Sequence, residues 1–454
     1  MARFFRQSPL TLVFLAGLLL LGGFILWNLA APEQDARLQA IRQKGYPTSL
    51  SELDAWYERV PESRNAASVV IKANALPGLA NASNLNAVLD EKSWTPTRSR
   101  LFDAESKAEV SALLATNQTL LNLLHSIIGL TNSRYPIDLT RGINTLLPDL
   151  AKVKSTVRLL TAEALFETSN GDTEKAIESL RAAGGVADSA APELILISQL
   201  VRYASWAIIS KRAELILNAS RFSDEQLAGL QVFISNAERT NTIARALAGE
   251  RVCCLSIFMN SRDQASVYAF GSGISPPTTQ DRLRTSFFMG LLKSTGIIRK
   301  DKAFYLDVMA ANMAAAEAPF PERLILGQQA NAAALSPPSK FLIFSRILLP
   351  SLAKAIQRDA EHTARVRTSQ TALAVERFRL AHSGNLPGSL NDLVPAYLFS
   401  VPCDPFDGQP LRYKRLAPGY VVYSIGNDMR DDGGIEGDPN KPNSAKDITF
   451  TIER

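Results

Sequence analysis

Between Asn427 and Asp447 the chain sets Asp428, Asp431, Asp432, Glu436, Asp438 and Asp447 against only Arg430, Lys441 and Lys446. Gly433, Gly434 and Gly437 leave the backbone between them free to bend. Calcium takes roughly six to eight oxygen ligands from carboxylates and carbonyls, so the loop has the right ligand type and compliance. Its spacing does not fit the EF-hand, because Arg430 would fall at the third loop position. Composition alone favours a solvated acidic turn, in which Asp431, Asp432 and Asp438 are the carboxylates on offer to a cation.

No other grouping reads as a reactive centre. Ser351-Leu352-Ala353-Lys354 matches S-x-x-K but lacks the Ser-Asp-Asn and Lys-Thr-Gly companions of that chemistry. G-x-S-x-G, H-E-x-x-H and Walker patterns are absent. His362 and His382 are too scattered for a metal cluster. His125, set among leucines, reads as a core or boundary residue. Cys253, Cys254 and Cys403 have no C-x-x-C spacing, which argues against a zinc site or a disulfide scaffold. Buried free thiols are the expected state; the alternative is one bridge from Cys403 to Cys253 or Cys254 in an oxidising compartment. The chain thus reads as a non-enzyme, with no catalytic residue to name. The alternative is a membrane-tethered hydrolase whose site is assembled from residues distant in sequence.

The elements that must position these residues follow from pattern. At 454 residues, 46% hydrophobic and 20% charged, the chain has the composition of a packed protein with more than one folding unit. A net charge of +5 without a Lys/Arg run excludes a nucleic-acid partner. From Gln7 to Pro32 no residue is charged, and Leu10–Ala30 is long enough for a hydrocarbon core of about 30 Å. Arg3 and Arg6 precede it and Glu33 and Asp35 follow, which directs the N-terminus to the cytoplasm. A cleaved signal peptide would have a shorter apolar run and a better site than Asn28-Leu29-Ala30. The expectation is therefore a signal-anchor: a single-pass protein of a bacterial inner membrane, in contact with lipid through its N-terminal helix, its body periplasmic or otherwise extracytoplasmic.

The body reads as helical. Ser49-Leu50-Ser51-Glu52 is a capping box, and Asp103–Ile128 carries a leucine-rich face. Val153–Thr168 and Thr173–Ala187 form a hairpin with small residues spaced as in a tetratricopeptide unit, a pattern that does not recur. Pro192 suits the first turn of the next helix, and Ser223 or Asp224 opens another. The apolar runs Leu194–Ile209 and Phe341–Ile356 contain charges and read as buried core helices. Gly271–Thr279 reads as a loop or linker, and Phe287–Leu292, flanked by basic residues, as a core helix rather than an interfacial one.

From about Thr363 the pattern changes. A helix capped by Gly384, a short helix at Ser389–Leu393, tight turns at Cys403–Pro410 and alternating strands at Leu411–Lys414, Tyr420–Ser424 and Asp447–Ile452 describe a small α+β unit. The order of AVERFRLAHSGNLP, Asp404-Pro405-Phe406-Asp407-Gly408, Tyr423-Ser424-Ile425-Gly426-Asn427-Asp428 and Asp447-Ile448 resembles the soluble part of the major pseudopilin of type II secretion, over roughly Ser369–Ile452. In that family the loop between the last two motifs binds Ca2+, so the resemblance implies Asp428 and Asp447 as ligands. A pseudopilin begins with a Gly-Phe peptidase site followed by Glu; Met1–Leu10 has none, so a pilus subunit is not implied. The overall layout resembles planctomycete-type membrane-anchored envelope proteins, a resemblance that supplies no activity.

The expected architecture is mainly α: a tail and transmembrane anchor over 1–31, a helical body over 32–362 with a linker at 271–284, and a pseudopilin-like module with a short antiparallel sheet over 363–454. Its expected role is an extracytoplasmic scaffold or interaction protein, linked to secretion, with a protein partner.

Overall fold

The computed structural model describes residues 36–76, 96–259, 263, 267, 290, 292–352, 354–437 and 447–454. Helices α1 (Ala36–Gln43), α2 (Leu50–Trp56) and α3 (Ala66–Asn74) are followed by α4 (Ala104–Thr116) and α5 (Gln118–His125). Then come α6 (Leu150–Ser169), α7 (Thr173–Asp188), α8 (Leu196–Ala219), α9 (Asp224–Ser235) and α10 (Thr242–Met259). The helical part ends with α11 (Ile297–Glu317), α12 (Glu322–Leu335), α13 (Ile343–Leu348) and α14 (Ala355–Ala381). Strands β1 (Arg412–Arg415), β2 (Tyr420–Ser424) and β3 (Ile448–Ile452) form an antiparallel sheet in the order β1-β2-β3.

Local chemistry explains most boundaries. Ser49 caps α2 by accepting from the Glu52 amide at 3.2 Å, but the Glu52 carboxylate turns to the Thr48 amide and hydroxyl at 2.7 and 2.9 Å instead of closing the box on Ser49. The leucine-rich stretch splits into α4 and α5 at Asn117, whose side chain donates to the Leu113 carbonyl at 2.8 Å. The hairpin turns at Gly171, in the left-handed region at φ 84°, and Asp172 caps α7 at the Lys175 amide. Pro192 lies ahead of α8 rather than in its first turn. Gln199 explains this, since its side-chain amide donates to the carbonyls of Ala190, Ala191 and Glu193 and holds that stretch as a separate turn.

The expected transmembrane architecture requires correction. Among the described residues no helix is long and apolar enough to cross a membrane. Helix α8, which begins within the apolar run at Leu194–Ile209, contains Arg202, Lys211, Arg212 and Glu214. Leu10–Ala30 lies outside the described residues, as do Asp438, 271–284 and most of Phe287–Leu292. The fold is thus a mainly helical body with a small C-terminal β-sheet module. No described element carries the signal-anchor, the lipid contact or the single-pass inner-membrane topology with an extracytoplasmic body.

Helix α14 is the spine of the molecule. Its Ala355–Ala364 half shares a core with Leu247, Phe258, Tyr305, Met309 and Phe344, which Phe406, Ile425 and Ile448 also join. Its Val366–Val375 half shares a second core with Leu160, Leu180, Trp206 and Leu230, and with Tyr420, Val422, Phe450 and Ile452 of the sheet. Position 363, the expected start of the module, therefore falls inside an unbroken helix. Every residue of β2 is buried. On the face away from α14, the backbone at Gly434 lies against β2: a Cβ there would sit 2.9 Å from Val421 and 3.0 Å from Tyr423. A side chain would push the loop off the sheet, so this close approach requires glycine.

Candidate functional site

The acidic loop is built on this approach. Asp447, at the start of β3, accepts from the Gly434 amide at 2.8 Å and the Asp432 amide at 3.5 Å. Burial raises its carboxyl above the ordinary range, against the pull of those amides and with the help of Asp432 and Asp431 nearby. Asp431 accepts from the Tyr423 hydroxyl at 3.1 Å and the Gly433 amide at 2.9 Å. Asp428 accepts from the Arg430 amide at 3.2 Å, which closes its own turn. The main chain of Glu436 bridges to Asp447, but its side chain turns away from this cluster. It pairs with Lys211 and Arg98, each at 2.6 Å, and Arg98 also holds Glu214 and Glu453, which staples the loop to α8. The structure thus gathers Asp431, Asp432 and Asp447, but backbone amides already occupy the Asp447 oxygens. Among the described residues no group of three or more His, Cys, Asp or Glu is arranged to hold a metal ion.

The tight turn at Cys403–Pro410 contains a residue of greater structural weight than its sequence suggests. Asp404 is fully buried and accepts from four donors: the Phe406 and Ile425 amides, the Ser424 hydroxyl and Arg412. It ties the turn to the end of β2, and Asp407 takes a second branch of Arg412. All three cysteines are free; Cys253 and Cys254 are buried, as expected, but Cys403 is exposed.

A cleft of about 830 Å³ lies between α9, the start of α10, the α11–α12 connection, α14 and the segment from Tyr397 to Cys403. Its guanidiniums are all paired. Arg239 meets Asp188 at 3.1 Å, Arg323 meets Asp359 at 2.6 Å and Arg377 meets Asp224 at 2.8 Å. Arg367 grips Glu238 with Nε and Nη2 and donates to the Cys403 carbonyl at 2.7 Å. Arg377 also lies over the Tyr397 ring, and Arg323 over Phe320.

His362 forms part of this wall. Its ring stacks on Tyr203 with centroids 4.6 Å apart, and Nε2 donates to the Ala237 carbonyl at 3.1 Å. Burial, reinforced by the charge of Arg202, lowers its pKa to about 3, so the imidazole is neutral at physiological pH. Asp359, three residues earlier on α14, serves the Tyr203 hydroxyl and Arg323 rather than His362. His125, by contrast, sits at a boundary with Nε2 2.8 Å from Glu163, the contact that most raises its pKa. Apolar side chains stand open at the cleft. Val232 is 60% exposed and Phe399 97% exposed. The sequence carries no local signal for this cleft, because its walls come from four separate stretches of chain.

The chain matches no protein-family model, no curated protein and no solved structure in such comparisons. The resemblance to the major pseudopilin accordingly rests on its motifs alone.

Proposed function

We propose that this is a non-catalytic interaction protein that receives an extended, apolar-bearing segment of a partner protein in the cleft between α9, α14 and the Tyr397–Cys403 segment. The observation that carries this reading is Phe399, a large aromatic side chain 97% exposed at the rim of a cleft whose charges are already neutralised internally. Burying such a side chain contributes roughly 1.5–3 kcal/mol, and aromatic anchors dominate protein interfaces. Val232, also open at the cleft, offers a second apolar contact. The paired arginines present polar rims without a surplus charge that would select an ion. The pseudopilin-like motifs favour a partner linked to secretion. The hydrolase alternative would require an activated base, and a His362 held neutral down to about pH 3 with no carboxylate orienting it does not supply one.

The test is site-specific photo-crosslinking in the native host. A crosslinker at position 399 should give a discrete adduct with one partner, lost on Val232→Asp. The same group at Leu146, 65% exposed and not part of the cleft wall, should give none. Identical adduct patterns from the two positions, or no adduct from 399, would refute the reading.

A further inference from the structure

A second cleft, about 530 Å³, opens where the end of α8, the start of α9, the end of α14 and Arg454 meet. Its charges are not balanced. Arg379 and Arg454 both donate to one oxygen, Oε2 of the buried Glu376, each at 2.6 Å. Arg221 is exposed, lines the same cleft and has no partner among the described residues. The Nε of Arg454 is buried and also unpartnered. Three guanidiniums therefore face one carboxylate. The Arg454 main-chain oxygen accepts from Arg379 Nη1 at 3.1 Å. Burial and the neighbouring charges of Arg379 and Arg221 lower the pKa of Arg454, although Glu376 opposes this. Like charges held this close repel one another unless an anion joins them.

We propose that this cleft binds a phosphate monoester, its dianion seated among Arg221, Arg379 and Arg454. Guanidinium groups present planar pairs of N–H donors that match phosphate oxygens, and a dianion meets the surplus charge. Phe222 and Leu380 give the cleft an apolar wall for the organic group of the ester, which bare phosphate would leave uncovered. The site is separate from the cleft that carries Phe399, so either can fail without the other.

Isothermal titration of the full chain with phenyl phosphate tests this. Saturable one-site binding is expected, weaker with inorganic phosphate. Arg221→Gln should reduce the affinity by about tenfold or more, the loss of one charge-assisted contact, and should not lower the melting temperature of the unliganded protein, because it removes a repelling charge and no described contact. Arg221 holds no other described group in place, so this variant reads binding rather than folding. No saturable heat, equal affinity in Arg221→Gln, or inorganic phosphate binding as tightly as phenyl phosphate would each overturn the proposal.

Discussion

In the Phe399 cleft Arg323, Arg367 and Arg377 each meet their own carboxylate and Arg239 shares Asp188 with the buried Arg202, whereas in the second cleft Arg379 and Arg454 share Glu376 and Arg221 has no described partner. A guanidinium bound to its own carboxylate projects little field and works as a brace between elements. One that is under-neutralised keeps its charge for a ligand. The lesson is that the pairing of a residue, and not its type, decides whether it belongs to the architecture or to a site. Two acids near the end of α7, the half-buried Asp188 and the buried Glu193, show the same contrast with the sign reversed. Asp188 meets Arg202, Arg239 and the Trp206 indole; burial raises its pKa, but the two arginines outweigh it and hold the group low. Glu193 meets the hydroxyls of Tyr57 and Ser198 and the Tyr135 amide, and burial pushes it up to about 7.

The largest effect should come from unpairing the first cleft. Asp188→Ala strands Arg202, which is fully buried, and frees Arg239, so urea unfolding should show a loss of about 3–5 kcal/mol. A loss below about 1 kcal/mol would place this pair among ordinary surface ion pairs and break the contrast.

Glu193 should give the next largest signal, through pH. Its folded pKa is raised, so the folded state holds the proton more tightly than the unfolded chain. The stabilising contribution of the neutral acid is complete below the unfolded value and is lost as pH rises through about 7. Between about pH 5 and 8 the wild type should lose on the order of 2 kcal/mol from this group, and Glu193→Gln should flatten that slope. Parallel profiles for the two proteins would mean that Glu193 is not held as a neutral acid.

Smaller still is the expected effect of Phe399→Ser on folding, within about 0.5 kcal/mol, because the side chain is open to solvent. The same change should abolish partner capture at the cleft, as read by crosslinking from position 232, so a large loss of stability would show that Phe399 belongs to the core. The smallest effect concerns the acidic loop. A bound ion at a hundredfold excess over its Kd would add about 2.7 kcal/mol, but with the Asp447 oxygens on the Gly434 and Asp432 amides no resolvable shift is expected. Melting curves that rise with calcium over chelator would show that the loop rearranges to release those oxygens.

The sequence by itself determined the local elements. The Ser223–Gln226 box opens α9, Gly171 and Asp172 turn the hairpin, and Gly384 ends the turn after α14 by donating to the Arg379 carbonyl at 2.8 Å. Alternation located β1, β2 and β3 to within a residue or two. Each of these depends on groups within about one helical turn or one strand repeat, so the chemistry is legible in neighbouring letters. Tertiary structure decided the rest: that α14 runs through both cores, that Asp404 is buried with four donors, that Cys403 is exposed, and that Phe399 stands open. It alone set which arginines are paired, because Arg98 reaches Glu453 and Arg377 reaches Asp224 across hundreds of residues or well over a hundred. Electrostatic pairing depends on distance in space, and no spacing along the chain reports it.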